Sequence, residues 1–290
     1  MREAADCMRT RTFGPMRRHV PVIGQGTWQL PDRGAAAERS VTALRLGIQL
    51  NLCHIDTAEM YGDGRAEELV ADAIAGVARD RLFIVSKVLP QHASFRGTIR
   101  ACEASLRRLR LDYLDVFLLH WQSRHPISET MGAMEQLMDE GKIAALGVSN
   151  FDVADLEAAR AALQRHPLAC NQVLYHVRER AAEALVLPYC QRHGIALVGY
   201  SPFGQGDFPS PRSGQGAALS NIAQRHDATP RQVALAFLTR EQGTFTVPKA
   251  SDEQHLRENA AAGDLELTPS DIKEIEAAFP LRHTTSLPVL

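Results

Sequence analysis

Short apolar runs alternate along the chain with longer segments whose apolar residues recur every three or four positions. The runs fall at 20–23, 52–56, 82–87, 113–120, 143–149, 169–173, 195–200 and 244–247, each of strand length. Between them, Leu69, Ala73, Ile74 and Val77 share one helical face, and Ile99, Cys102, Leu106 and Leu109 share another. Ile127, Met131, Met134 and Leu137 form a third. Each helical crossover brings the chain back to the same end of the sheet, so the pattern predicts parallel strands. Eight such units in 290 residues suit an α/β fold closed as a (β/α)8 TIM barrel, with an open doubly wound sheet as the competitor. The open sheet lacks its signature. The stretch GQGTW (24–28) has no third glycine and no following helix to hold a pyrophosphate.

Three segments extend the plain barrel. Residues 10–20 (TRTFGPMRRHV) place a Gly-Pro turn between two short arms and predict an N-terminal β-hairpin. Residues 203–216 (FGQGDFPSPRSGQG) form a long loop after the seventh strand, of the length usually tied to function. Residues 268–278 predict an added C-terminal helix, with Thr268 as N-cap and Pro269 in the first turn. Residues 1–9 are expected to be disordered, and 10–290 to form a single domain.

Composition adds exclusions. The chain is 45% hydrophobic and 23% charged with a formal net charge of −2, so no bulk field favours nucleic acid or an anionic membrane. The short basic run Arg17-Arg18-His19 is expected to be a solvated hairpin edge. Five cysteines, with no C-x-x-C, suggest neither a disulfide framework nor a zinc site, and Cys53 and Cys170 are expected in the core. With no run of 18 apolar residues and no signal-like segment, the expected setting is the cytoplasm.

Candidate chemistry lies where the strands end, because all the strand C-termini of a parallel barrel open on one face. Asp56, Lys87 and His120 end three consecutive strands, and Tyr61 follows on the loop after Asp56. A free tyrosine, with a pKa of about 10, is a poor acid at neutral pH. A nearby ammonium favours the phenolate, and a carboxylate can hold that ammonium in place. Tyr61, Lys87 and Asp56 fit these roles in turn, while a neutral His120 could orient a carbonyl. The cluster suits protonation of an oxygen as hydride reaches the adjacent carbon. A zinc site from His54, Asp56 and His120 lacks further ligands at strand ends, so no metal is expected.

These residues stand within segments that resemble the aldo-keto reductases across residues 10 to 280. The segments are GQGTW (24–28), HIDTAEMYGDGRAEE (54–68), FIVSKV (83–88), ACEASLRRLRLDYLDVFLLHW (101–121), GKIAALGVSNF (141–151), NQVLYH (171–176), GYSPFGQG (199–206) and VPKASDEQHLREN (247–259). They are similar to those of bacterial methylglyoxal and small-aldehyde reductases. The resemblance implies an NADPH-dependent barrel that reduces aldehydes and some ketones, with Tyr61 as general acid and Asp56, Lys87 and His120 completing the tetrad. It implies nicotinamide contacts from Ser149, Asn150, Gln172 and Tyr200, the last by stacking. Ser201, Pro202 and Phe203 would pass the pyrophosphate, with Gly26, Thr27 and Trp28 near the cofactor. Lys249 would bind a 2′-phosphate, with His255, Glu258 and Asn259 around the adenosine. Ala250 and His255 stand where many NADPH-dependent members have Ser and Arg, which leaves NADH use open. Trp28 and Trp121, with Tyr61 and His120, would line the substrate pocket. A short tail, 282–290, suggests an open pocket of broad selectivity. The expected partner is a small carbonyl compound, and the expected state a monomer. The alternative is a cofactor-binding redox sensor or scaffold of the same fold without significant turnover.

Overall fold

A computed structural model describes residues 8–281 and 286–289 of the chain. Most of the segment expected to be disordered, residues 1–7, lies outside the described residues, as do 282–285 and 290 of the tail. Arg9 is described, and its backbone N–H donates to Asp264 Oδ1 at 3.0 Å.

The chain opens with a hairpin of β1 (Thr10–Thr12) and β2 (His19–Pro21), paired antiparallel. Eight parallel strands follow: β3 (Gln25–Gly26), β4 (His54–Asp56), β5 (Phe83–Val88), β6 (Val116–Leu119), β7 (Leu146–Ser149), β8 (Leu168–Leu174), β9 (Ala196–Tyr200) and β10 (Thr244–Thr246). Each pairs with its sequence neighbour. The two ends of the sheet meet through a parallel bridge of Ile23 with Thr246 and through Gly26 N donating to Pro248 O at 3.0 Å, which closes the barrel.

The helices are α1 (Gly34–Gln49), α2 (Arg65–Ile74), α3 (Phe95–Leu109), α4 (Ile127–Asp139), α5 (Val153–Ala162), α6 (Ala181–Leu185), α7 (Leu187–Arg192), α8 (Gly214–Arg225), α9 (Pro230–Leu238), α10 (Glu253–Ala262) and α11 (Pro269–Ala278). Three additions break the alternation of one helix after each strand: α6 and α7 share the crossover from β8 to β9, α8 precedes α9 before β10, and α11 follows α10. α11 carries the expected Thr268 N-cap, which Asp271 completes as a capping box, and packs on α8, which begins within the segment expected as loop because Ser213 caps it. No helix among the described residues is long and apolar enough to cross a membrane.

The first apolar run is divided between the hairpin and the barrel seam, where Ile23 bridges Thr246 and Val22 O accepts from Thr246 N at 2.9 Å. Val20 pairs with Arg11 in the hairpin, while Val22 and Ile23 run on toward β3, two residues beyond the expected strand. All three are apolar because they plug the floor of the barrel against Phe13, Phe83 and Phe245. Nor is Arg18 merely a solvated edge. Its guanidinium pairs with the buried Asp115 and donates to Leu82 O at 2.7 Å, which ties the hairpin to the barrel floor.

Along the strands the two faces alternate, and both are buried, as expected where helices cover a parallel sheet. Phe83 and Val85 of β5 face the barrel interior, whereas Ile84 joins the core beneath the helices. On β6, Val116 and Leu118 face inward and Phe117 and Leu119 outward. Continuing that period of two puts Lys87 and His120 inward at the top of their strands, and Asp56 likewise on β4.

Candidate active site

Lys87 is fully buried, which is tolerable only because its ammonium uses all three donors. Nζ donates to Asp56 Oδ2 at 2.7 Å, to Thr57 O at 2.9 Å and to Tyr61 Oη at 3.2 Å. The second oxygen of Asp56 accepts from Gln172 Nε2 at 2.7 Å. The three strand-end residues and the loop tyrosine thus converge, with the carboxylate held between a cation and an amide.

The turn from Gly62 to Gly64 brings Tyr61 over the barrel. All three of its residues have left-handed backbones, with φ of 58°, 53° and 88°, and α2 starts immediately after at Arg65. Glycine at the first and last of these positions removes most of the steric cost. Ala66 N donates back to Tyr61 O at 3.1 Å, so the tyrosine's backbone is bonded to the first turn of α2.

Burial and charge set the protonation states. Burial pushes the Tyr61 phenol above its ordinary value, and the attraction of Lys87 only partly offsets this. The ammonium acts in the direction expected from the sequence, but it does not win. Burial by itself would depress Lys87, yet Asp56 and Tyr61 outweigh it and the pKa is raised. His120 is pushed down to about 2 by burial and by Lys87, so it is neutral. Its Nδ1 is buried without a hydrogen-bond partner. The His120 ring meets Tyr61 edge-on at 5.7 Å and lies 4.7 Å from Trp121.

These groups sit at the base of a cleft of about 450 Å³. Gly26, Trp28, Ser149, Asn150, Gln172 and Tyr200 line it, as do Ser201, Pro202, Phe203, Lys249 and Trp121. Tyr200 Oη donates to Asn150 Oδ1 at 3.0 Å. Asn150 and Ser201 both hold left-handed backbones, φ 62° and 51°, the kind of strain that collects at functional sites. Gln172 is not at a strand end, since β8 continues to Leu174.

Other expected residues stand back from the cleft. Thr27 is buried behind it, with Oγ1 donating to Asp56 O at 2.9 Å. His255, Glu258 and Asn259 lie on α10 outside the lining, and His255 Nδ1 is in contact with the Asp252 carboxylate. Gln29, Met60, Gln205 and Val247 line the cleft without having been foreseen. Their only signal in the sequence is adjacency to singled-out residues or segments. His54 shares the inward face with Asp56 but lies one layer lower, its ring against Phe13, Phe83 and Phe245. Among the described residues no group of three or more His, Cys, Asp or Glu is placed to hold a metal ion.

The loop after β9 walls one side of the cleft. Phe203 meets Phe208 edge-on at 5.8 Å, and the Arg231 guanidinium lies over both rings, at 4.6 and 5.0 Å. Arg178 pairs with Asp207 in the same loop.

Known proteins match this chain over most of its length. The profile of the aldo/keto reductase family covers residues 22–279. Methylglyoxal reductase YeaE of Escherichia coli K12 is 41% identical over 261 residues, covering 90% of this chain and 92% of that protein. Glyoxal reductase of Bacillus subtilis is 36% identical over 260 residues, covering 89% and 88%. Among solved structures, an aldo-keto reductase from Klebsiella pneumoniae in complex with NADPH superposes with a TM-score of 0.89 at 40% identity, covering 98% of this chain and 100% of that one. At this identity and coverage the chain belongs to the aldo/keto reductase family, and it is an NAD(P)H-dependent oxidoreductase.

Proposed function

We propose that the protein reduces small aldehydes, with α-oxoaldehydes such as methylglyoxal foremost and some ketones besides, using NADPH and Tyr61 as the general acid. The observation that carries this is the buried contact of Tyr61 Oη with Lys87 Nζ at 3.2 Å, at the base of an open cleft. Support for the substrate class comes from the methylglyoxal and glyoxal reductases among the relatives. Support for NADPH comes from the NADPH complex of the Klebsiella protein.

The cleft fits a dinucleotide. A Cβ on Gly26 would stand 2.6 Å from Val247 O, so the wall there admits only bare backbone. Tyr200 offers a flat ring, Ser149 and Asn150 offer amide and hydroxyl groups, and Lys249 is an exposed cation at the rim. We assign Ser149, Asn150, Gln172 and Tyr200 to the nicotinamide end and Lys249 to the 2′-phosphate. NADH remains an alternative donor, because His255 is engaged with Asp252.

When bound, the cofactor supplies a hydride to the carbonyl carbon. The chain supplies everything else. The raised phenol pKa keeps Tyr61 protonated at neutral pH. As the carbonyl oxygen gains negative charge, Oη gives up its proton, and the ammonium beside it stabilises the phenolate left behind. Asp56 holds the ammonium in place. His120, neutral and with little room for a second charge beside Lys87, can only hydrogen-bond the carbonyl and orient it. Trp28 and Trp121 offer the substrate apolar walls within the cleft.

A sensor or scaffold without turnover would not need this cluster. A buried lysine and aspartate cost several kcal/mol to desolvate, and a protein that only reports cofactor binding gains nothing from them. We also propose a monomer in the cytoplasm, a setting that would keep the four cysteines among the described residues as the free, buried thiols they are. The test is the fall in NADPH absorbance with methylglyoxal, an aromatic aldehyde and a sugar, for the wild type and for Tyr61→Phe. The variant should lose about 10²- to 10⁴-fold in rate while binding NADPH as before. A variant that kept most of its rate would refute the acid assignment, and no turnover of any substrate by the wild type would favour the sensor.

A further inference from the structure

Ser86 precedes Lys87 on β5 and therefore points the other way, out of the barrel toward the helices. There its hydroxyl donates to Glu67 Oε1 at 2.5 Å, while Arg108 Nε of α3 donates to Glu67 Oε2 at 2.6 Å. Glu67, in the first turn of α2, is fully buried. Arg108 Nη2 also donates to Ser105 Oγ at 3.2 Å. The stem of Arg108 lies against Gly64, whose Cβ, if present, would be 2.6 Å away. Gly64 ends the turn that carries Tyr61, and Ala66 N bonds Tyr61 O at 3.1 Å. The first turn of α2 is thus bonded on one side to the backbone of the acid. On the other side it is bonded to the residue next to the ammonium.

Stability alone does not account for a charge here. Well-packed apolar side chains usually replace a buried ion pair at no cost. A carboxylate with two directional bonds does what an apolar group cannot, because it fixes the register of a helix on a strand. We propose that Glu67, acting through Ser86 and Arg108, is a positioning residue that sets the separation of Tyr61 Oη from Lys87 Nζ and so the strength of the acid. The inference rests on the assignment of Tyr61 as that acid.

The test is Ser86→Ala, which removes one buried hydroxyl outside the cleft. The single-turnover rate of methylglyoxal reduction is followed against pH, together with KM for methylglyoxal and Kd for NADPH. The titratable groups facing Tyr61 are Lys87, Asp56 and His120, and the substitution touches none of them. A longer Tyr61–Lys87 contact weakens the pull of the ammonium, so the phenol holds its proton to higher pH and is a weaker acid. The expected result is a plateau about two- to threefold lower, with its alkaline limb displaced upward by about half a pH unit. KM and Kd should stay within about twofold, since the cleft is intact. A limb that does not move overturns the proposal whatever happens to the plateau, because a smaller folded fraction lowers the rate without shifting a pKa. Ser86→Cys, nearly isosteric, a weak hydrogen-bond donor and without change of charge, should displace the limb in the same direction and serves as the second arm should Ser86→Ala not fold. If Tyr61→Phe remains active, the failure lies in the acid assignment. If Tyr61→Phe is inactive and the limb of Ser86→Ala is unmoved, it lies in the positioning.

Discussion

Replacing Asp56 by Asn should expose the dependence of this barrel on one buried pair. Asp56 Oδ2 accepts from Lys87 Nζ at 2.7 Å, and Oδ1 accepts from Gln172 Nε2 at 2.7 Å. An Asn side chain can still turn its carbonyl oxygen to Lys87, and the Gln172 amide can flip to meet the new NH₂ group. What cannot be recovered is the negative charge opposite a fully buried ammonium. Breaking a buried pair by removing one partner costs about 3–5 kcal/mol, and the retained hydrogen bond places this case near the lower end, at about 3 kcal/mol. At about 2 °C per kcal/mol for a chain of this size, the melting temperature should fall by roughly 6 °C near pH 7.

The pH dependence carries the sharper prediction. In the wild type the folded pKa of Lys87 is raised, so its contribution to stability is fully present below the ordinary value of 10.5 and is lost only above it. Without Asp56, burial dominates and the folded pKa falls below 10.5. The deficit of the variant is then largest at neutral pH and shrinks as the pH rises toward 10.5, by up to about 1.4 kcal/mol per unit. Thermal denaturation of both proteins from pH 7 to 10 checks this. A deficit that stays constant with pH, or a shift in melting temperature below about 1 °C, would mean that Lys87 is not held as an ammonium by Asp56.

Further expectations concern the floor and the rim of the barrel. Burial pushes His54 down to about 4, so its contribution is present above the ordinary value of 6.5 and is lost as the pH falls toward 4. His54→Leu should therefore flatten the acid side of the stability curve by about 1.4 kcal/mol per pH unit in that window. An unchanged acid slope in denaturant titrations would refute it. Lys249→Met should raise the Kd for NADPH by about tenfold or more while leaving NADH within about twofold, measured by fluorescence titration. Equal losses for both cofactors would remove Lys249 from the 2′-phosphate, and a clear wild-type preference for NADH would remove NADPH as the principal donor.

The alternation of apolar runs and helical faces is enough to specify a parallel sheet covered by helices, while closure into a barrel rests on eight units in 290 residues and on the missing pyrophosphate signature. The same alternation places Asp56, Lys87 and His120 at strand ends, and side-chain period then turns all three inward. Thr268 and Pro269 announce α11 just as directly. Other features depend on contacts between segments distant in sequence. The run at 20–23 reads as a single barrel strand, yet Val20 pairs within the hairpin while Ile23 bridges Thr246 at the barrel seam, a division that one apolar run does not betray. The sign of the Tyr61 shift is another such case. The sequence supplies the ammonium that pulls the phenol down, but how deeply the fold buries the ring decides that it goes up. Thr57 holds Lys87 with a backbone carbonyl, which no side chain betrays. Glu67 and Ser86, 19 residues apart, meet only because α2 returns along β5. Local pattern therefore determined the architecture and the chemical groups, while the tertiary structure decided their burial, their partners and hence their charge.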